Sequence, residues 1–159
     1  MAMLSDKWLN RIVVACLLLG GVAVLAYVNR PVATPEVFDT RPFAQSAAAA
    51  EAEGKVLVIK ATAGWCGPCK MMDRTTLADE RVVTRLRAMA VTVAVDVDAQ
   101  QQRASELGVT ALPTVIAKVG EREVGRFVGY RDAEGMLAWL DEVAARAAGG
   151  SERGEVSGG

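Results

Sequence analysis

Two cysteines separated by two residues constrain this chain more than any other feature. They stand in Trp65-Cys66-Gly67-Pro68-Cys69-Lys70, directly after the apolar run Val56 to Ala61. That run reads as a buried strand, and the residues after the pair read as a helix. The order strand, cysteine pair, helix puts Cys66 at a helix N-terminus. Unsatisfied N–H groups and the helix dipole favour a thiolate there. A thiolate with a second thiol one turn away is the minimal apparatus for thiol–disulfide exchange. The steps are attack, mixed disulfide, and release by the second sulfur.

The same spacing serves other chemistry. Half a zinc site needs two more ligands. The chain has no histidine, and its one other cysteine, Cys16, lies in an apolar run far upstream. A metal reading through copper(I) stays open, because Met71 and Met72 follow the pair and thioether is a soft ligand. Their ordinary role is to fill a core edge. A purely structural disulfide is the third alternative. Redox chemistry leads, since a C-x-x-C beside a βαβ pattern is a redox motif.

Ile12 to Val28 carries no charge. At about 17 residues it is near the short end of a membrane-spanning helix. Trp8 and Tyr27 lie near its ends, where interfacial aromatics are expected. Residues 12–28 are therefore expected to be a transmembrane anchor after a short flank, 1–11. The competing reading is a signal peptide with Lys7 and Arg11 as its basic region and a weak cleavage site at Val24-Leu25-Ala26. That would leave a soluble periplasmic protein. The apolar run continues through the cleavage site, which favours the anchor. Lys7 and Arg11 lie closer to the span than Arg41, and only Arg30 opposes them at short range. This favours N-inside, with the rest of the chain outside the cytoplasm. In a bacterium that means a single pass of the inner membrane and a periplasmic domain. The compartment is oxidising, so a reduced dithiol there needs an upstream electron donor.

The remainder has room for one domain of about 110 residues. Residues 29–41 form a proline-spaced linker, 42–147 the domain, and 148–159 a glycine- and serine-rich tail expected to be mobile. The formal net charge is −1, with acids and bases interspersed, and leaves no nucleic-acid footprint. Within the domain, helix is expected over 42–53 and from Gly67 or Pro68 through Met72. Asp79 caps a helix through Met89, and Val91 to Val97 is a strand. Gln100 to Leu107 is a short helix ended by Gly108. Thr114 to Val119 and Glu123 to Val128 form a hairpin about Gly120. Asp132 caps a last helix whose Met136, Leu137, Leu140 and Val143 follow a 3.6 period. The fold class is α/β, a central mixed sheet of about four strands flanked by helices.

This order resembles the thioredoxin superfamily over roughly Phe43 to Val143. The resemblance rests on WCGPCK at 65–70, on Gly108-Val109 followed by Ala111-Leu112-Pro113-Thr114, and on Val128-Gly129 before the last helix. Within the superfamily, the run from Cys69 to Val82 and the segment Gly129 to Glu134 look like the C-terminal periplasmic domain of DsbD-type electron transporters. Those domains are usually fused to a polytopic membrane part, whereas one span is expected here.

The resemblance implies a thioredoxin-like fold and a protein-disulfide reductase needing no cofactor beyond the Cys66–Cys69 disulfide. Its partners would be protein thiols and disulfides and an electron donor. Cys66 is implied to attack and Cys69 to resolve, with Gly67-Pro68 fixing the loop between them. Trp65 shields one side. Pro113 matches the family's cis-proline facing the disulfide, and Leu112-Pro113 would offer backbone groups to a substrate strand. Lys70 adds positive charge near the thiolate. The departure is Lys60, six residues before Cys66, where thioredoxins usually carry a buried acid assisting proton transfer to the resolving thiol. Three readings stand. Lys60 pairs with Asp96 on the neighbouring strand, or it is a neutral base with a pKa lowered by burial, or it snorkels to solvent.

Overall fold

The computed structural model describes residues 6–28, 35, 37–38 and 41–151. Most of the linker expected over 29–41, and the tail beyond 151, lie outside the described residues. The chain divides into two compact units, Met1–Val32 and Ala33–Gly159.

The first unit contains helix α1, Asp6–Val28. Its stretch Trp8–Tyr27 has 20 residues, a mean hydropathy of 2.2 and no buried share. At 1.5 Å per residue that is about 30 Å, the thickness of a bilayer's hydrocarbon core. The helix begins earlier than the apolar run at Ile12, because nothing between Asp6 and Arg11 breaks it.

The second unit is an α/β domain. In chain order it holds α2 (Phe43–Ala52), β1 (Val56–Thr62), α3 (Gly67–Arg74), α4 (Glu80–Met89), β2 (Ala90–Asp96), α5 (Gln101–Glu106), β3 (Thr114–Val119), β4 (Arg122–Val128) and α6 (Ala133–Ser151). The sheet order is β2-β1-β3-β4. β1 pairs parallel with β2 and antiparallel with β3, and β3 and β4 form the expected hairpin. β1 is an interior strand, which explains its nearly unbroken apolar sequence.

Alternation along β1 divides the core. Val56 and Val58 pack with Met72 of α3, Leu86 of α4 and Leu140 of α6. Leu57 and Ile59 face the other way, with Ala50 of α2 and Val91, Val93 and Val95 of β2. By the same parity Lys60 points to the α3 side.

Helix starts follow the sequence. Asp79 Oδ1 accepts the Arg81 N–H at 2.9 Å and caps α4, and Asp132 Oδ1 accepts the Gly135 N–H at 2.8 Å at the start of α6. α6 runs to Ser151, past residue 147, where the domain was expected to give way to the tail. The alanines 144, 145, 147 and 148 are strong helix formers and carry it on. Gly125 on β4 is there for a packing reason. A Cβ at that position would lie 2.7 Å from Val143 Cγ2 and 3.2 Å from Trp139 Nε1. Its absence lets Trp139 set its ring edge-on to Phe127, with centroids 5.0 Å apart.

Candidate active site

α3 starts where β1 ends, and Cys66 is its N-cap. Cys66 Sγ accepts the Cys69 N–H at 3.2 Å, so the sulfur itself takes one of the helix's free donors. Pro68 sits in the first turn, where a missing N–H leaves no hydrogen bond unmade. The two sulfurs are bonded, 2.00 Å apart. Both cysteines are buried and pack with Ala63, Val97 and Leu112.

A cleft of about 420 Å³ opens beside Cys66, lined among others by Trp65, Pro68, Val97, Ala111 and Leu112. The Leu112–Pro113 peptide is cis, as the resemblance implied. The carbonyls on either side of Leu112 are occupied. Ala111 O accepts the Thr114 hydroxyl at 2.7 Å, and Pro113 O accepts the Gly129 N–H at 2.7 Å. Leu112 lines the cleft, and among the described residues no hydrogen bond engages its backbone N–H or C=O.

Apolar side chains stand exposed around the disulfide. Among the described residues of the domain, the exposed large hydrophobics are Trp65, Met71, Val119, Val128 and Tyr130. All but Val119 belong to segments that border the cysteines. Trp65 precedes Cys66, Met71 is on α3, and Val128 leads into the Gly129 bonded to Pro113. The Tyr130 hydroxyl lies 3.3 Å from Thr75 Oγ1 at the end of α3. The Trp65 indole donates to Asp98 Oδ2 at 2.9 Å, which holds an exposed ring in place. Asp98 was not apparent from the motif, because only the folded β2–α5 turn brings it to Trp65. The methionines part company: Met72 is fully buried in the core, while Met71 is 54% exposed. Lys70 is half-buried on α3, and its N–H bonds to Cys66 O at 3.1 Å.

Lys60 is buried, with 1% of its surface exposed, so it does not snorkel to solvent. Nor does it pair with Asp96. The parallel register sets Lys60 opposite Ala94, and Asp96 opposite Thr62. Asp96 Oδ1 is taken by the backbone N–H groups of Asp98 at 2.9 Å and Ala99 at 3.2 Å, which it uses to turn the chain. The partner of Lys60 is Asp73 of α3, bonded Nζ to Oδ1. The Phe38 ring centroid lies 5.4 Å from the same ammonium. Burial pushes the Lys60 pKa down, and the hydrogen bond and charge of Asp73 oppose that shift. Asp73 follows Cys69 by four residues, so both lie on one face of α3. That spacing was the signal available in the sequence. Among the described residues, no cluster of three or more His, Cys, Asp or Glu is arranged to hold a metal.

The thioredoxin family model matches residues 36–142. Mitochondrial thioredoxin of Bos taurus is 34% identical over 87 residues, 55% of this chain and 51% of that protein. This chain thus spans about half the length of the mitochondrial thioredoxins it matches. The thiol:disulfide interchange protein DsbD of Yersinia enterocolitica is also 34% identical, over 104 residues, 61% of this chain and 18% of that protein. By identity, the likeness to DsbD is no stronger than that to thioredoxin. A solution structure of a thioredoxin from Thermus thermophilus superposes with a TM-score of 0.63 at 27% identity, covering 74% of this chain and 95% of the other.

Proposed function

The chain belongs to the thioredoxin family, and on that premise we propose that it is a membrane-anchored thiol–disulfide oxidoreductase that reduces protein disulfides outside the cytoplasm. The observation that carries this is the Cys66–Cys69 disulfide at the N-terminus of α3, opening on a cleft with the unpaired backbone of Leu112.

In the reduced enzyme the Cys66 thiolate attacks one sulfur of a substrate disulfide. A Cys66–substrate disulfide forms, and the other substrate sulfur leaves as a thiolate and takes a proton from water. Cys69 then gives up its proton to water and attacks Cys66 Sγ. The second substrate sulfur leaves as a thiolate and takes up a proton, and the Cys66–Cys69 disulfide remains. Two electrons have passed to the substrate, and an upstream donor must return them. The helix N-terminus supports Cys66 as the attacking thiolate. The backbone of Leu112 pairs with the substrate segment as with an added strand, beside Pro113, and Trp65 closes one side.

Lys60 acts as a cation paired with Asp73, one turn along α3 from Cys69. A cation there favours the thiolates and raises the reduction potential. α1 is the anchor, with the N-terminus inside, and its length and apolar composition support that reading. The Cys69–Val82 run supports a narrower, DsbD-like place as an electron relay. Reduction of insulin disulfides tests the activity. Turnover lost in both Cys66→Ser and Cys69→Ser supports it, whereas no turnover together with tight stoichiometric copper(I) binding overturns it. A reporter active only in the periplasm, fused to the C-terminus, tests the topology.

A further inference from the structure

The outer face of α3 carries positive charge that no acid among the described residues neutralises. Elsewhere in the domain most surface cations are met: Arg81 by Asp79 and Glu134, Arg85 by Asp141, Arg103 by Glu106, and Arg126 by Glu123. Lys70 and Arg74 lie one turn apart on α3, and among the described residues neither has an acid within ion-pair distance. Like charges at this spacing oppose the helix that carries them. Met71 stands between them, 54% exposed. Tyr130, 41% exposed, reaches the same helix end through Thr75. The rim beyond Trp65 has the opposite sign, since the indole holds the carboxylate of Asp98 there and Asp96 turns the same loop. The helix that carries the disulfide is thus cationic and apolar on its outer face, while the turn bonded to Trp65 is anionic.

We propose that this face of α3 docks a protein segment whose disulfide is flanked by acidic side chains. Its acids lie over Lys70 and Arg74, and an apolar side chain lies against Met71 and Tyr130. The proposal rests on the reductase reading above and adds the substrate class. Charge complementarity of this kind sets which partners meet the site and how fast, more than how tightly they stay. It also orients the segment, because a reversed approach would place its acids against Asp98.

The test uses the full-length chain in neutral detergent and two labelled peptides that differ only at four positions beside a cysteine, acidic in one and lysine in the other. With serine in place of cysteine the peptides report docking alone. The acidic peptide is expected to bind about ten-fold more tightly at about 0.05 M salt, and the gap is expected to close at about 0.5 M. In Arg74→Glu the preference is expected to vanish or reverse. Equal binding of the two peptides, or a preference that Arg74→Glu leaves intact, overturns the proposal. The disulfide-bonded forms of the same peptides separate the two claims. An acidic peptide that docks but is never reduced sustains the docking surface and overturns the reductase reading.

Discussion

Lys60 of β1 and Asp73 of α3 form a buried ion pair, with side-chain exposures of 1% and 9%. It joins the central strand to the active-site helix one turn below Cys69. Taking two charges out of water is expensive, and the pair is retained only because each satisfies the other.

Breaking this pair should be worse than removing it. Asp73→Asn or Lys60→Met leaves one buried charge alone and is expected to destabilise the domain by about 3–5 kcal/mol. The double variant Lys60→Met/Asp73→Leu is expected to be near wild type or more stable, by up to about 4 kcal/mol. Denaturant unfolding of the three variants measures this. Additive losses in the double variant would show that the two residues do not act as a pair.

Lys60 also bears on the sulfurs. Lys60→Ala leaves the Asp73 carboxylate without its cation near Cys69, which disfavours thiolates and so the reduced form. The reduction potential is expected to fall by about 30 mV or more, a ten-fold change for a two-electron couple. A redox titration against glutathione reads it directly. A potential unchanged within error would remove Lys60 from the electrostatics of the site.

These two residues also mark where the sequence was legible and where it was not. The strand–cysteine–helix order, the hairpin about Gly120 and the caps Asp79 and Asp132 are local signals, and the structure contains them all. The Cys66–Cys69 site and the cis Leu112–Pro113 bond were reached from motif and resemblance. The partner of Lys60 was not, because strand parity gives the side of the sheet but not which helix covers it. Asp96 is on the correct face, yet two residues along in register and already bonded to Asp98 and Ala99. Asp98 beside Trp65 depends in the same way on a turn whose course no local pattern fixed.

Asp79 should make stability acid-sensitive. Hydrogen bonds from the Arg81 side chain and backbone hold its carboxyl pKa at about 2, below the ordinary 3.8. A folded-state value below the unfolded one contributes stability that is present above pH 3.8 and lost as pH falls towards 2. Urea unfolding of wild type and Asp79→Asn should differ most above pH 4 and converge near pH 2. A difference that stayed constant across that range would contradict the shift.

Gly125 is a packing position. Gly125→Ala puts a Cβ against Val143 and Trp139, closer than the core permits. It is expected to lower stability by about 1–3 kcal/mol through overpacking. Gly64→Ala, where a Cβ meets nothing within 4 Å, is the control and should be near neutral. Thermal unfolding of the two compares them.

The central claim is that Cys66 attacks protein disulfides and Cys69 releases them. It is tested most directly by capturing the intermediate. In cells producing the Cys69→Ser chain, the second step is blocked and Cys66 should remain bonded to its partners. Non-reducing gels are expected to show protein adducts that disappear on reduction and are absent from Cys66→Ser/Cys69→Ser. Adducts no more abundant than in that double variant, or adducts that form through Cys16 instead, would contradict it.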